Sequence, residues 1–463
     1  MIAPDLAQQL PESLGVVHFI GIGGSGMSGI ARMCVERGLT VTGSDRSDSS
    51  TVEALRAIGV SIQIGHEPEA VTRADTVVVT GALWTDNPEY QWALQHELLV
   101  IHRSLALHWL SRNSRVISIA GAHGKTTTTS MVVIGLRELG FDPSFVNGGV
   151  VTQLGVSAAT GTDDLFVLEA DESDGSFLAY NTAIGLITNI DTDHLDAYGS
   201  AEAFDDAFVS FANACSESVV VSSDDEHLGR LRSRIVTPVI TFGESTTADV
   251  RVSNIVSSAS GVSAHVSHHG AVAILTMSVP GAHNAINAVG AATVLMQLGH
   301  SLDAAVAAVS TFGGTGRRFE LHGVRRGVAV YDDYAHHPSE VRATLAMARS
   351  VVGEGRIIAI HQPHLFSRTR DMAEEFANEY ETGADLTIVL DVYGAREDPI
   401  DGVTGQLVVD RFADDTKVLY RPDWAQAAEA AANHAREGDI IITLSCGDVY
   451  RIIPSVLGEL GVE

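Results

Sequence analysis

Lysine is almost missing from this chain. Among 463 residues there are two, Lys125 and Lys417, while 27 arginines fill the other basic positions. Cysteine is scarce as well: Cys34, Cys215 and Cys446 stand far apart and make no metal-ligand spacing. They offer no disulfide framework, so a reducing, cytoplasmic setting is expected. No apolar run reaches the length of a membrane span, and residues 1–15 lack the basic and apolar regions of a secretory signal. Positive charge is outnumbered, 29 Lys and Arg against 58 Asp and Glu, for a formal net charge of −29. That excludes nucleic acid or an anionic membrane as a main partner. A nucleotide ligand would have to find its positive charge locally, inside a cleft. What is present, 45% hydrophobic and 19% charged residues, fits a globular enzyme with an ample core. On a prior of about 150 residues per domain, the length suggests three domains.

A lysine kept where arginine is otherwise used suggests a task for a compact ammonium. Lys125 lies in Ile117-Ser-Ile-Ala-Gly-Ala-His-Gly-Lys-Thr-Thr127. A short apolar run ends in Gly121-Ala122-His123-Gly124-Lys125-Thr126-Thr127, and a helix is predicted to follow. This is the context of a phosphate-binding loop: glycines turn backbone N–H groups to the phosphates, Lys reaches the terminal phosphates, and the Thr hydroxyl meets Mg²⁺. The longer form of the signature wants glycine where Ile119 stands, so the pattern is the shorter, looser one. A glycine-rich turn with an incidental lysine is the competing reading.

Residues 16–110 read as alternating strands and helices, with strands at 16–20, 40–45 and 76–80. Polar residues 111–115 mark a boundary. A second unit carries strands near 116–120, 165–169, 183–190 and 218–222, then an alternating stretch between 248 and 279 that suggests a small antiparallel patch. After Gly313–Gly316 the βα rhythm restarts, with strands at 328–332, 356–361, 386–391, 417–420 and 439–444 and an Ala-rich helix at 424–436. The predicted fold is α/β, three domains in series. Residues 1–113 form a Rossmann-like domain and 114–319 a P-loop ATPase-like parallel sheet with the antiparallel patch. Residues 320–463 form a second Rossmann-like domain.

Further motifs fall at strand ends. Gly21-x-Gly23-Gly24-Ser25-Gly26-Met27-Ser28 follows a strand and opens a helix, which suits a diphosphate, and Asp45 ends the next strand where an acidic residue would meet a ribose. Tight strand–helix packing by glycine is the plain alternative. Glu169-Ala-Asp-Glu-Ser-Asp174 leaves an apolar strand, placing a carboxylate where it could hold Mg²⁺. His194, in Asp191-Thr-Asp-His-Leu-Asp196, also follows a strand. Asn284 and Asn287 sit one helical turn apart and could read an adenine edge, although N-capping would explain Asn284 alone. Arg317 and Arg318 beside glycines suit a phosphate clamp. His336 and His337 at one strand end, and His361, His364, Arg368 and Arg370 at another, look like a site for a small charged substrate. Zinc is the rival there, but no H-E-x-x-H or cysteine partner appears.

The order G-x-G-G-x-G-M-S, G-x-H-G-K-T-T, E-A-D-E-S-D, D-H-L-D, H-N-x-x-N, G-R-R-F, D-D-Y-x-H-H-P and Q-P-H, covering about residues 16–450, resembles the Mur ligase family. The resemblance implies that the three domains bind UDP-sugar, ATP and amino acid in that order. Within the family it implies ATP-dependent joining of L-alanine to the carboxylate of UDP-N-acetylmuramate through an acyl phosphate, the first peptide step of peptidoglycan precursor synthesis. A family ligase that recycles a murein tripeptide is the near rival; a nicotinamide oxidoreductase and a regulatory ATPase are the distant ones. One or two Mg²⁺ ions and a monomer or weak homodimer are implied.

By motif, Lys125 and Thr126 are expected to handle phosphates and Mg²⁺, and Glu169 and His194 the metals. Asn284, Asn287, Arg318 and Asp333 would position the nucleotide. His336, His337, Arg368 and Arg370 would lie near the amino acid, with His337 a candidate base. The chain departs from the family pattern in four places. Ala122 stands where the loop usually has Thr, His361 replaces a usual Phe, and Leu365 stands where many relatives have Arg. Ser445-Cys446-Gly447-Asp448 replaces G-A-G-D. Several relatives carry a carbamylated lysine near the metal; no lysine lies between Lys125 and Lys417, so that device is excluded. A second metal would then rely on His194, phosphate oxygens, the substrate carboxylate and water.

Overall fold

A computed structural model describes residues 2–191, 198–395 and 397–461. His194 lies outside the described residues. The chain falls into two compact units, 1–254 with 264–275 and 286–312, and 255–263 with 276–285 and 313–463.

The first unit opens with a five-stranded sheet in the order β3-β2-β1-β4-β5. Its strands are β1 (Val17–Ile20), β2 (Val41–Asp45), β3 (Ser61–Ile64), β4 (Thr76–Val79) and β5 (Leu99–His102). All pairings are parallel. The central strands are apolar on both faces because helices cover both, whereas β3 at the edge is largely exposed. Strand order reverses between β1 and β4, so the loop after β1 opens at the crevice where such sheets bind ligands.

A ten-stranded sheet follows, with β6 (Arg115–Ala120), β7 (Ser144–Val151), β8 (Val156–Ala159), β9 (Leu165–Glu169) and β10 (Thr182–Ile187). Then come β11 (Ser218–Ser222), β12 (Val239–Gly243), β13 (Val250–Ser258), β14 (Gly261–His268) and β15 (Ala271–Met277). The order is β15-β14-β13-β12-β11-β10-β6-β9-β7-β8. From β12 through β7 the pairings are parallel, and β8 closes one edge antiparallel to β7. Two-residue connections join β13 to β14 and β14 to β15, which only antiparallel neighbours can share, so the expected patch is present. The loop after β6 again lies at a reversal, between β10 and β9.

The second unit is built on a six-stranded sheet, β16 (Glu320–Arg325), β17 (Val328–Asp333), β18 (Ile357–His361), β19 (Leu386–Val389), β20 (Val418–Tyr420) and β21 (Ile440–Leu444), in the order β16-β17-β21-β18-β19-β20. Only the edge pair β16–β17 is antiparallel. Because β21 is inserted between β17 and β18, the three loops leaving those strands lie side by side. No described helix is long and apolar enough to cross a membrane.

Candidate active site

In the first unit, the loop after β1 is shaped by its glycines. Gly21 has φ +77°, and its N–H and that of Ile22 both bond the Ser44 carbonyl, at 2.8 and 3.0 Å. Gly23 admits no side chain: a Cβ there would lie 2.9 Å from both Asp45 Oδ2 and Val52 Cγ2. The helix Ser25–Glu36 begins without a side-chain cap, and its Met27 and Ser28 N–H groups bond the Gly24 carbonyl. Asp45, expected at a ribose, instead accepts from Gly23 N at 2.9 Å and Ser47 N at 3.1 Å, which closes the loop. Met27 is corrected from ligand contact to core: it is fully buried in the apolar cluster of this domain. Arg103 was missed. It stands 3.4 Å from the Cβ position of Gly26 and pairs with Asp171 at 2.7 Å and Asp174 at 3.3 Å. It links that glycine loop to the acidic cluster of the central sheet.

The loop after β6 is held by neighbours from the adjacent strand. Gly121 (φ +132°) has no room for a Cβ, which would meet Thr188 Oγ1. Thr188 Oγ1 and Asn189 Nδ2 both donate to the His123 carbonyl, and Asn189 Oδ1 accepts from His123 N at 2.9 Å. Gly124 (φ +82°) supplies the left-handed turn into the helix Lys125–Glu138, and its Cβ position lies 3.0 Å from Asn287 Oδ1. Asn287, expected to position the nucleotide, packs on this glycine loop. His123 bonds Asp191 at 3.0 Å.

Lys125 is concentrated on this site. Its Nζ donates to Gly121 O at 2.6 Å and Ala122 O at 3.1 Å, and pairs with Glu172 at 2.8 Å. Burial opposes its charge, but Glu172, Asp171 and Glu169 outweigh that and raise its pKa. Burial, with Asp171 adjoining, pushes the Glu172 carboxyl up to about 7 despite the ammonium. Glu172 sits in the acidic motif three residues after Glu169, yet the motif alone did not single it out. Glu169 accepts from Thr126 Oγ1 at 3.0 Å and from Gly148 N at 2.6 Å. The two meet because β6 and β9 are neighbours in the sheet. The Thr126 hydroxyl and the Glu169 carboxylate are adjacent oxygen donors, the kind that fits Mg²⁺.

In the second unit, Arg317 is tied down: Nε to Asp332 at 2.9 Å, Nη2 to Ser445 O at 2.7 Å and Nη1 to Gly447 O at 3.0 Å. Of the arginine pair, Arg318 keeps the phosphate reading; its guanidinium lies over the Tyr334 ring at 4.8 Å. Asp333, expected to position nucleotide, is a local anchor. It accepts from Phe319 N, Ala335 N and Thr344 Oγ1, and burial raises its pKa to about 6. Asn284 donates to Pro280 O at 2.6 Å and lies against Met347. His337 caps the helix Pro338–Val352, its Nδ1 accepting from Ser339 N, in a capping box with Glu340. Its role as a base loses that nitrogen.

His336 bonds Glu340 through its ring at 3.1 Å. Burial disfavours its charge, but negative charge on the Cys446 sulfur and on Glu340 outweighs this and raises its pKa. Arg368 is half-buried on the helix Phe366–Gly383, whereas Arg370 is exposed and paired with its neighbour Asp371 at 2.7 Å. Leu365 is buried at φ +71°, an apolar side chain in a strained backbone position.

His361 is fully buried. Its Nδ1 bonds the Tyr380 hydroxyl at 2.8 Å. Burial lowers its pKa to about 3. The unfolded chain takes up a proton near pH 6.5, and the folded one does not until about 3. Stability is therefore complete above 6.5 and falls as the pH drops through the window between these values. At pH 5 the loss is about 2 kcal/mol, from 1.36 kcal/mol per pH unit. H361F removes this term but strands the Tyr380 hydroxyl, costing about 1–2 kcal/mol at neutral pH. Melting curves of both proteins at pH 7.5 and 5 should show the variant gaining on the parent by about 2 kcal/mol on acidification. A constant difference would refute a neutral, buried His361.

Comparison with known proteins adds to this geometry. Three family models match: "Mur ligase family, catalytic domain" over residues 16–115, "Mur ligase middle domain" over 119–295 and "Mur ligase, glutamate ligase domain" over 317–447. The UDP-N-acetylmuramate–L-alanine ligase of Clavibacter sepedonicus is 61% identical over 99% of this chain and 96% of its own length. That of Thermobifida fusca is 43% identical, over 97% of this chain and 98% of its own. Among solved structures, the UDP-N-acetylmuramate–alanine ligase of Thermotoga maritima matches with a TM-score of 0.81 and 27% identity, covering 96% of this chain and 98% of that one. A murein peptide ligase of Psychrobacter arcticus matches with a TM-score of 0.74 and 26% identity, over 97% and 99%.

Proposed function

Because the chain belongs to the Mur ligase family, we propose that it joins L-alanine to the carboxylate of UDP-N-acetylmuramate at the expense of ATP, the first peptide step of peptidoglycan precursor synthesis. The observation that carries this reading is the Lys125–Glu172 pair on a glycine loop, beside Thr126 and Glu169 at the reversal point of the central sheet. A compact ammonium on a glycine loop at a helix N-terminus suits phosphoryl transfer, and the three family matches support this reading over a nicotinamide enzyme. Residues 1–113, 114–319 and 320–463 are proposed to bind UDP-sugar, ATP and amino acid.

In the proposed reaction the muramyl carboxylate attacks the γ-phosphorus of ATP, giving ADP and an acyl phosphate. The amine of L-alanine then attacks the acyl carbon and phosphate leaves. Lys125 stabilises charge on the transferring phosphoryl group. Phosphate oxygens compete with Glu172 for its ammonium, and a carboxyl pushed up to about 7 can accept a proton as the ammonium turns to phosphate. Thr126 and Glu169 would hold Mg²⁺, which would neutralise the phosphate oxygens when bound. The backbone N–H groups that open Ser25–Glu36, with Arg103 beside them, suit the UDP diphosphate. Arg318 and Asn287 are assigned to ATP, and His336 and Arg368 to the amino acid. One or two Mg²⁺ ions, a cytoplasmic location and a monomer or weak dimer belong to the same proposal.

Purified protein with ATP, Mg²⁺ and UDP-N-acetylmuramate should release ADP only when L-alanine is added, with product mass increased by one alanyl residue. Release supported by a murein tripeptide and not by L-alanine would transfer the assignment to the recycling ligase. Hydrolysis of ATP without amide formation would leave only an ATPase.

A further inference from the structure

The loops after β17, β21 and β18 lie side by side in the second unit, and each brings one reactive group to the same edge: His336, Cys446 and His364. The two imidazole rings face each other edge-on, centroids 6.2 Å apart, and both interact with the thiol of Cys446. His364 is held from behind by stacking on Tyr393, at 5.8 Å and 20°. The loop carrying the thiol is fixed on both sides of it. Arg317 bonds the carbonyls of Ser445 and Gly447, and Gly447 N donates to Ser445 Oγ at 2.9 Å. Gln362 bonds Asp448 and Val449 N, and sits where any Cβ at Gly447 would fall, 2.5 Å away. Cys446 is a half-buried residue, whereas Cys34 and Cys215 are buried.

The charged groups around Cys446 act mostly in one direction. His336 and His364 interact with the sulfur and Arg317 bonds its loop, while Glu340 pairs with the His336 ring and Asp448 is engaged with Gln362. Burial alone would raise the thiol; the two imidazoles more than offset it and bring its pKa down to about 5. Burial pushes Cys34 and Cys215 up to about 12.

We propose that Cys446 is a modification site, a nucleophilic thiolate at the edge of the amino-acid pocket whose exchange with small disulfides closes that pocket. The closure rests on the assignment of His336 and Arg368 to the amino acid. In the exchange the Cys446 sulfur attacks one sulfur of a disulfide R–S–S–R. A Cys446–S–S–R bond forms, the reagent's S–S bond breaks, and the electron pair departs with RS⁻. The protein sulfur is oxidised, half of the reagent is reduced, and no other oxidant is needed.

The test uses the full chain and 5,5′-dithiobis(2-nitrobenzoate). One thiol per chain should react in the fast phase and map to Cys446 by peptide mass. Its rate at pH 6 should stay within about 3-fold of that at pH 8, where a thiol of ordinary pKa, about 8.5, slows nearly 100-fold. H364N should restore at least a 10-fold pH dependence. The labelled protein should lose at least 90% of its L-alanine-dependent ADP release and regain it with dithiothreitol. C446A, measured against its own starting rate, should lose nothing to the reagent. Simultaneous reaction of all three cysteines, an ordinary pH dependence, or an adduct that leaves the rate unchanged would each overturn the proposal. Absence of L-alanine-dependent product from unlabelled protein would instead sink the proposed function, leaving the thiolate to be judged by its labelling rates.

Discussion

Lys125→Arg is expected to lower turnover at least about a thousandfold while the protein still melts within a few degrees of the parent. The substitution keeps the charge and the chain already tolerates arginine at nearly every basic position, so charge alone predicts little change. Geometry predicts otherwise. The ammonium is one atom with three acceptors around it, two of them carbonyls of its own loop at 2.6 and 3.1 Å and the third Glu172. A guanidinium is a planar fork; it cannot converge on Gly121 O, Ala122 O and a phosphate oxygen from one point. The loop cannot widen to receive it, because Gly121 is pressed against Thr188 and Gly124 against Asn287. Loss of about 4 kcal/mol of transition-state stabilisation corresponds to the thousandfold stated. Steady-state ADP release, set beside a thermal melt, decides it. A variant retaining more than about a tenth of parental turnover would show that Lys125 does not meet the transferring phosphoryl group.

How much of this was legible in the sequence follows from what kind of signal each feature leaves. Apolar strands buried on both faces, such as β1, β4, β6 and β21, announce themselves as short runs, and their predicted ends fall within about a residue or two of those observed. β3 was missed because an exposed edge strand carries no such run, and β7–β8 because Gly148 and Gly149 interrupt it. β16 was missed for the same reason, an antiparallel edge with little buried surface. At the site, the phosphate loop was legible because its glycines are required by the backbone. Glu172 and Arg103 were not, since their importance comes from sheet order and from packing between two sheets, which no local spacing encodes. The roles of Asp45, Asp333 and His337 shifted toward holding the backbone because the same residue types that bind ligands also cap helices and close turns. Cys446 gains its chemistry only from β21 lying between β17 and β18.

Glu169→Gln is expected to cut turnover about a hundredfold to a thousandfold and to raise the Mg²⁺ concentration needed for half-maximal rate. Two effects contribute and can be separated. The first is local. Glu169 accepts from Thr126 Oγ1 on one oxygen and from Gly148 N on the other, and Gly148 is so close that its Cβ position lies 2.7 Å from Oε2. An amide offers one acceptor and one NH₂, so in either orientation a donor faces a donor, unless the threonine hydroxyl turns away. That costs about 1–2 kcal/mol of stability and appears in the melting temperature. The second is electrostatic: removing a full negative charge from an oxygen set that fits Mg²⁺ weakens the ion without changing the size of the site. Only the second effect moves the Mg²⁺ dependence. Initial rates measured against free Mg²⁺ at fixed ATP therefore discriminate. If the variant melts lower but reaches half-maximal rate at the parental Mg²⁺ concentration, Glu169 braces β9 against β7 and the metal is held elsewhere. If the midpoint rises severalfold and excess Mg²⁺ restores part of the rate, Glu169 is a ligand.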